Sequence, residues 1–159
     1  MSEELKARLR LTLNLKTLNS ILFNCKYLNF IEYVEYSQPP IPNSVWEIIA
    51  KFDANPYHKF PIASFFKNLS FQFNKILKTL RIDNEIYLSL GGLGDLPWAK
   101  VKIVSEDRWL MELWNLGYHE FIILSSQKDK IVGFLEEEDY YETYIIDINC
   151  DSSSSQRLY

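Results

Sequence analysis

Phe121-Ile122-Ile123-Leu124, Ile131-Val132-Gly133-Phe134-Leu135 and Tyr140-Tyr141-Glu142-Thr143-Tyr144-Ile145-Ile146 are three apolar runs within the stretch from Tyr118 to Asp147, divided by two polar turns. β-Branched and aromatic residues fill the runs, and such residues suit a pleated, half-buried surface. Ser125-Ser126-Gln127-Lys128-Asp129-Lys130 lies between the first two runs and Glu136-Glu137-Glu138-Asp139 between the last two. The pattern predicts a β-meander with strands near 119–124, 130–135 and 140–148. Four consecutive carboxylates cannot be buried without partners, so the second turn must face water or a cationic partner.

Upstream of the meander, Ser105 stands where a helix cap belongs, with Glu106 and Asp107 in the first turn, Leu110, Leu113 and Trp114 on the buried side, and Gly117 as the C′ residue. Ala99-Lys100-Val101-Lys102-Ile103 alternates as a strand does, and Glu85 to Leu90 also reads as a strand, with Gly91-Gly92-Leu93-Gly94-Asp95 as a loop between them. From Ile62 to about Arg81, Phe66, Leu69, Phe73, Ile76, Leu77 and Leu80 recur at three- and four-residue steps, predicting the longest helix of the chain. Asp53 to Pro61 reads as a loop. Val45, Ile48, Ile49 and Phe52 follow a capping-box spacing at Ser44–Glu47, and Gln38-Pro39-Pro40-Ile41-Pro42 reads as an extended connector.

Nearer the N-terminus, Leu9, Leu11, Leu13 and Leu15 alternate with polar residues from Ala7 to Lys16, which argues a strand, while Glu3-Glu4 and the leucines leave a helix open. From Thr17, Leu18, Ile21, Leu22, Cys25 and Leu28 fall on one helical side, pointing the Cys25 thiol into the core. Trp109, Trp114 and Phe73 are bulky enough to anchor the helix layer. The expected fold is a single α+β domain over 1–150, an antiparallel sheet backed by helices, with 151–159 as a disordered tail.

A chain of 159 residues, 47% hydrophobic and 15% aromatic, suits one globular domain. Two cysteines, Cys25 and Cys150, make neither a disulfide framework nor a zinc site. The first residues lack the pattern of a signal peptide, and no apolar run approaches the roughly 20 residues that span a bilayer. These features predict a cytoplasmic protein that does not bind membranes. Residues 1–130 carry 16 basic and 14 acidic residues, net +2, whereas 131–159 carry 1 basic and 7 acidic, net −6. Such a C-terminal part repels a phosphate backbone and attracts a basic protein.

The chemical motifs are incomplete. The glycines of 91–94 are followed by neither Gly-Lys-Ser/Thr nor the third small residue of a dinucleotide fingerprint, since Pro97 stands there. His58 and His119 have no cysteine nearby to build a metal site. Glu136 to Asp139 lacks the alternating ligands and central glycine of a calcium loop. An enzyme would have to use Asp95 with His58 or Glu120 with His119, and a regulatory module the proline cluster. The reading is therefore of a non-enzyme without metal or cofactor.

A small, acidic α+β chain with many aromatics and no catalytic set resembles the immunity proteins of bacterial contact-dependent growth inhibition and related polymorphic toxin systems. The residues carrying the likeness run from Tyr118-His119-Glu120-Phe121-Ile122-Ile123-Leu124 through Lys130-Ile131-Val132-Gly133-Phe134 to Glu138-Asp139, about the last quarter of the chain. The resemblance implies a heterodimer with one cognate toxin, often a basic nuclease, whose active site or substrate groove is covered. These families share few motifs, so no residue role carries over. From chemistry alone, Glu136, Glu137, Glu138 and Asp139 with Tyr140, Tyr141, Glu142 and Tyr144 are the candidate contact, because rigid aromatics beside charges are enriched where proteins grip one another. Asp95 and Trp98 are the secondary candidates.

Overall fold

The run from Phe121 to Ser125 pairs antiparallel with Lys130–Glu136, and that strand with Tyr140–Asp147, so the meander forms as expected. The computed structural model describes residues 1–34, 56, 58–61, 66–90 and 98–147. The elements are α1 (Glu3–Asn24), β1 (Leu28–Tyr33), β2 (His58–Pro61), α2 (Phe66–Thr79), β3 (Glu85–Leu90), β4 (Ala99–Ile103), α3 (Trp109–Asn115), β5 (Phe121–Ser125), β6 (Lys130–Glu136) and β7 (Tyr140–Asp147). The strands form one sheet in the order β1-β4-β3-β5-β6-β7-β2, with every described pairing antiparallel. This is a single α+β domain. Among the described residues no helix is long and apolar enough to cross a membrane.

Period two sends alternate side chains to opposite faces of the sheet. Ile86, Leu88, Val101, Phe121, Ile123, Val132 and Phe134 share one core with residues of all three helices, including Leu18, Ile21, Phe73, Leu77, Trp109 and Leu113. Tyr87, Trp98, Ile122, Leu124, Ile131, Leu135, Tyr144 and Ile146 form a second buried cluster. The central strands are therefore covered on both faces, which is why β5 reads as a continuous apolar run.

Four expectations need correction. Residues 7–16 are helical: α1 starts at Ser2, whose side chain accepts from the Leu5 amide at 3.2 Å, and at 22 residues it, not α2, is the longest described helix. Two residues advance about 200° around a helix, so Leu9 and Leu13 fall on one side and Leu11 and Leu15 on the other, and the period-two signal is that of a helix with two apolar faces. Cys25 is the buried C-cap of α1, and Leu28 belongs to β1. The loop expected over 53–61 contains β2, which pairs His58–Pro61 with Tyr140–Thr143. The helix expected over 105–116 begins at Trp109 after a turn in which the Ser105 carbonyl, not its hydroxyl, accepts from Arg108 and Trp109.

α3 ends as predicted. Gly117, at φ +92, donates to the Trp114 carbonyl, and the Tyr118 amide donates to that of Leu113, the double closure that an αL residue at C′ permits. The connector at 38–42, the helix at 44–52, the glycine loop at 91–95 and the tail at 151–159 lie outside the described residues.

Candidate protein-contact surface

β6 and β7 meet at a turn closed by the Glu137 amide donating to the Tyr140 carbonyl at 2.7 Å. Glu136, Glu138 and Asp139 are exposed, Glu137 is half-buried and Tyr140 retains 43% of its surface. The rest of the expected cluster is not at the surface. Tyr141, Glu142 and Tyr144 are 7%, 6% and 1% exposed. β7 has a neighbour on each side and buried clusters on both faces, so its side chains from Tyr141 to Ile146 are buried whichever way they alternate. Trp98 is buried as well, and Asp95 lies outside the described residues. The contact set available to a partner is therefore Glu136, Glu137, Glu138, Asp139 and Tyr140.

The turn is held from behind by a chain of rings. Phe73 packs edge-on against Phe134, Phe134 stacks with Tyr141, and Tyr141 meets Trp114 edge-to-face at 4.8 Å. Trp114 stacks on His119, the centroids 3.8 Å apart and the planes 9° from parallel. His119 Nδ1 then lies 2.7 Å from Glu136 Oε2, so the core reaches the first carboxylate through contiguous aromatic packing. Burial, reinforced by Glu136, raises the Tyr141 hydroxyl above its ordinary pKa.

On the other face of β7, Lys59 of β2 supplies a cation. Its Nζ is 3.2 Å from Glu142 Oε1 and 5.6 Å from the centre of the Tyr140 ring, and Glu142 also accepts from the Tyr144 hydroxyl. A carboxylate so deeply buried needs such partners. Tyr144 is raised well above an ordinary tyrosine, first by burial and then by its bond to Glu142. Glu142 thus braces the strand, leaving the turn carboxylates to meet solvent.

His119 is engaged by Glu136 and Trp114, so the pairing of His119 with Glu120 that an acid–base reading would use does not form. Among the described residues no group of three or more His, Cys, Asp or Glu could hold a metal ion. The sequence reading missed a groove of about 790 Å³ whose walls include Tyr27, Phe71, Arg108, Met111, Glu112 and Leu116. Glu112 holds its rim by accepting from the amides of Lys26 and Tyr27, and Arg108 donates to the Tyr27 hydroxyl at 2.9 Å. These contacts join residues some 80 apart in the chain, a juxtaposition that local pattern does not reveal. Compared with family models, curated proteins and solved structures, the chain matches none.

Proposed function

We propose that the protein acts by binding another protein, and that the β6–β7 turn is its contact with a basic partner. The observation carrying this reading is that Glu136, Glu138 and Asp139 stand exposed beside Tyr140 on a turn braced by the Trp114–His119–Glu136 stack. A turn whose backbone is closed by the Glu137 amide and whose Glu136 is held by His119 needs little ordering on association, and clustered negative charge speeds encounter with a cationic surface. Neutralisation of a cognate toxin, as in the immunity proteins that the C-terminal hairpin resembles, is the biological role that fits such a device. In this role the protein carries out no turnover and needs no cofactor.

The test uses the purified product of the adjacent reading frame as partner. Glu136→Gln, Glu138→Gln and Asp139→Asn together should slow association about tenfold or more at low salt, with the far-ultraviolet spectrum unchanged. Added salt should erase the difference, since exposed charges are screened beyond a Debye length of about 10 Å at 0.1 M. Tight binding and neutralisation indifferent to both the substitutions and the salt would reduce the turn to a solvated loop.

A further inference from the structure

α2 turns one large ring away from the core. Phe71 stands two residues before the fully buried Phe73, about 200° round the helix, and keeps 68% of its surface. Met111 and Leu116, at α3, are exposed as well, and all three side chains line the groove of about 790 Å³ bounded by α2, α3 and the link from α1 to β1. A space of that size is in the range that takes up small molecules.

The charged groups of the groove are not evenly available. Lys26 and Arg108 line it and form no ion pair among the described residues. Arg108 is already held in place, its Nη1 donating to the Tyr27 hydroxyl at 2.9 Å and its guanidinium 5.6 Å from the centre of that ring, so it needs little ordering to receive a ligand. Two carboxylates also line the groove. Both oxygens of Glu112 are taken by the amides of Lys26 and Tyr27, which leaves the exposed Asp107 as the one lining carboxylate open to a ligand.

We infer that the groove binds a small amphiphilic monoanion, a carboxylate carried on an aromatic or alkyl body. The carboxylate meets Arg108 and Lys26, and the body lies on Phe71, Met111 and Leu116. A planar carboxylate matches the donor fork of a guanidinium, whereas a cationic ligand would meet two cations and a single available acid. The lining shares no residue with the β6–β7 turn, so this site is separate from the proposed protein contact.

Titration of the full chain with 1-anilinonaphthalene-8-sulfonate, an aromatic body bearing a single anion, should give enhanced fluorescence that saturates at one site. Dodecanoate should displace the dye at least about tenfold better than dodecanol or dodecylammonium, which lack the charge-assisted contact. Calorimetry then follows dodecanoate directly. Arg108→Gln should weaken it about tenfold, and Phe71→Glu, at an exposed position, should weaken it further by removing the ring and repelling the anion. Asp107→Asn should tighten binding about threefold by removing a like charge, a gain that a damaged groove cannot produce. The far-ultraviolet spectrum should be unchanged in all three variants. An absence of saturable dye binding, displacement indifferent to the charge of the competitor, or dodecanoate affinity unmoved by Phe71→Glu and Asp107→Asn would each overturn the site.

Discussion

Replacing Trp109 by Phe tests how the helices are joined to the sheet. Trp109 is fully buried, lies 5.9 Å from the Phe121 ring centre and 6.2 Å from that of Phe73, and donates from its indole nitrogen to Asn74 Oδ1 at 3.0 Å. Asn74 Nδ2 donates in turn to the carbonyls of Ser70 and Glu106 at 2.8 and 2.7 Å, so one amide ties α2 to the turn before α3. Phenylalanine keeps most of the ring but leaves a cavity on the order of 40 Å³, worth about 1 kcal/mol. It also strands the Asn74 oxygen in the core, at about 1–3 kcal/mol. The expected loss is about 2–4 kcal/mol, read as a lower midpoint in urea unfolding followed by circular dichroism. Adding Asn74→Leu removes the stranded acceptor, so the double variant should cost about 1 kcal/mol less than the two singles combined. A loss below about 1 kcal/mol for Trp109→Phe, or additivity within about 0.5 kcal/mol, would refute the buried link.

Tyr141→Ala should lower stability by about 3–5 kcal/mol, because it removes a buried ring packed on Phe134 and Trp114; unchanged thermal unfolding would place Tyr141 at the surface after all. Thr143 Oγ1 is buried without a hydrogen-bond partner, so Thr143→Val should stabilise by about 1 kcal/mol, and a destabilisation of that size would reveal a partner. Burial, with Glu112 adding to it, pushes the Cys25 thiol from 9.0 up to about 12. Above pH 9 the unfolded chain therefore releases a proton that the folded chain keeps, and stability falls by up to about 1.4 kcal/mol per pH unit. Tyr33, Tyr118, Tyr141 and Tyr144, all raised from 10.0, add to the loss only at higher pH. Urea midpoints between pH 8 and 10 should thus decline less in Cys25→Ala than in the parent, and equal declines would show the thiol to be solvated.

The limits of local pattern are visible at single positions. Gly117 marks the end of α3 in the sequence because only glycine takes a positive φ freely. α2 ends by the same double closure at Arg81, with φ 57 and the Ile82 amide donating to the Leu77 carbonyl; an arginine carries no such signal, and the expected helix overran by two residues. β2 is four residues long and exists by its pairing with β7, so its own composition reads as loop. α1 was misread for a different reason: alternation by two is shared by a one-sided strand and a two-faced helix, and Ser2 with the first-turn glutamates decides between them only once the chain is seen to continue to Leu22.

The amino-acid order by itself determined the meander, strands β3 and β4, the core position of Cys25 and the exposure of the acidic turn. Each rests on near-neighbour chemistry: β-branched runs, a thiol on a helical stripe, four carboxylates that cannot be buried unpaired. Only the tertiary structure decided which tyrosines stay exposed. Tyr140, Tyr141 and Tyr144 are alike in composition and context, yet β6 and β2 flank β7, helices cover one face and a second apolar cluster fills the other, so a shift of one residue moves a ring from solvent to core. The same holds for α1: its leucines are written in the chain, but that Leu18 and Leu22 are buried while Leu9 and Leu13 stay exposed follows from which part of the helix packs on the core.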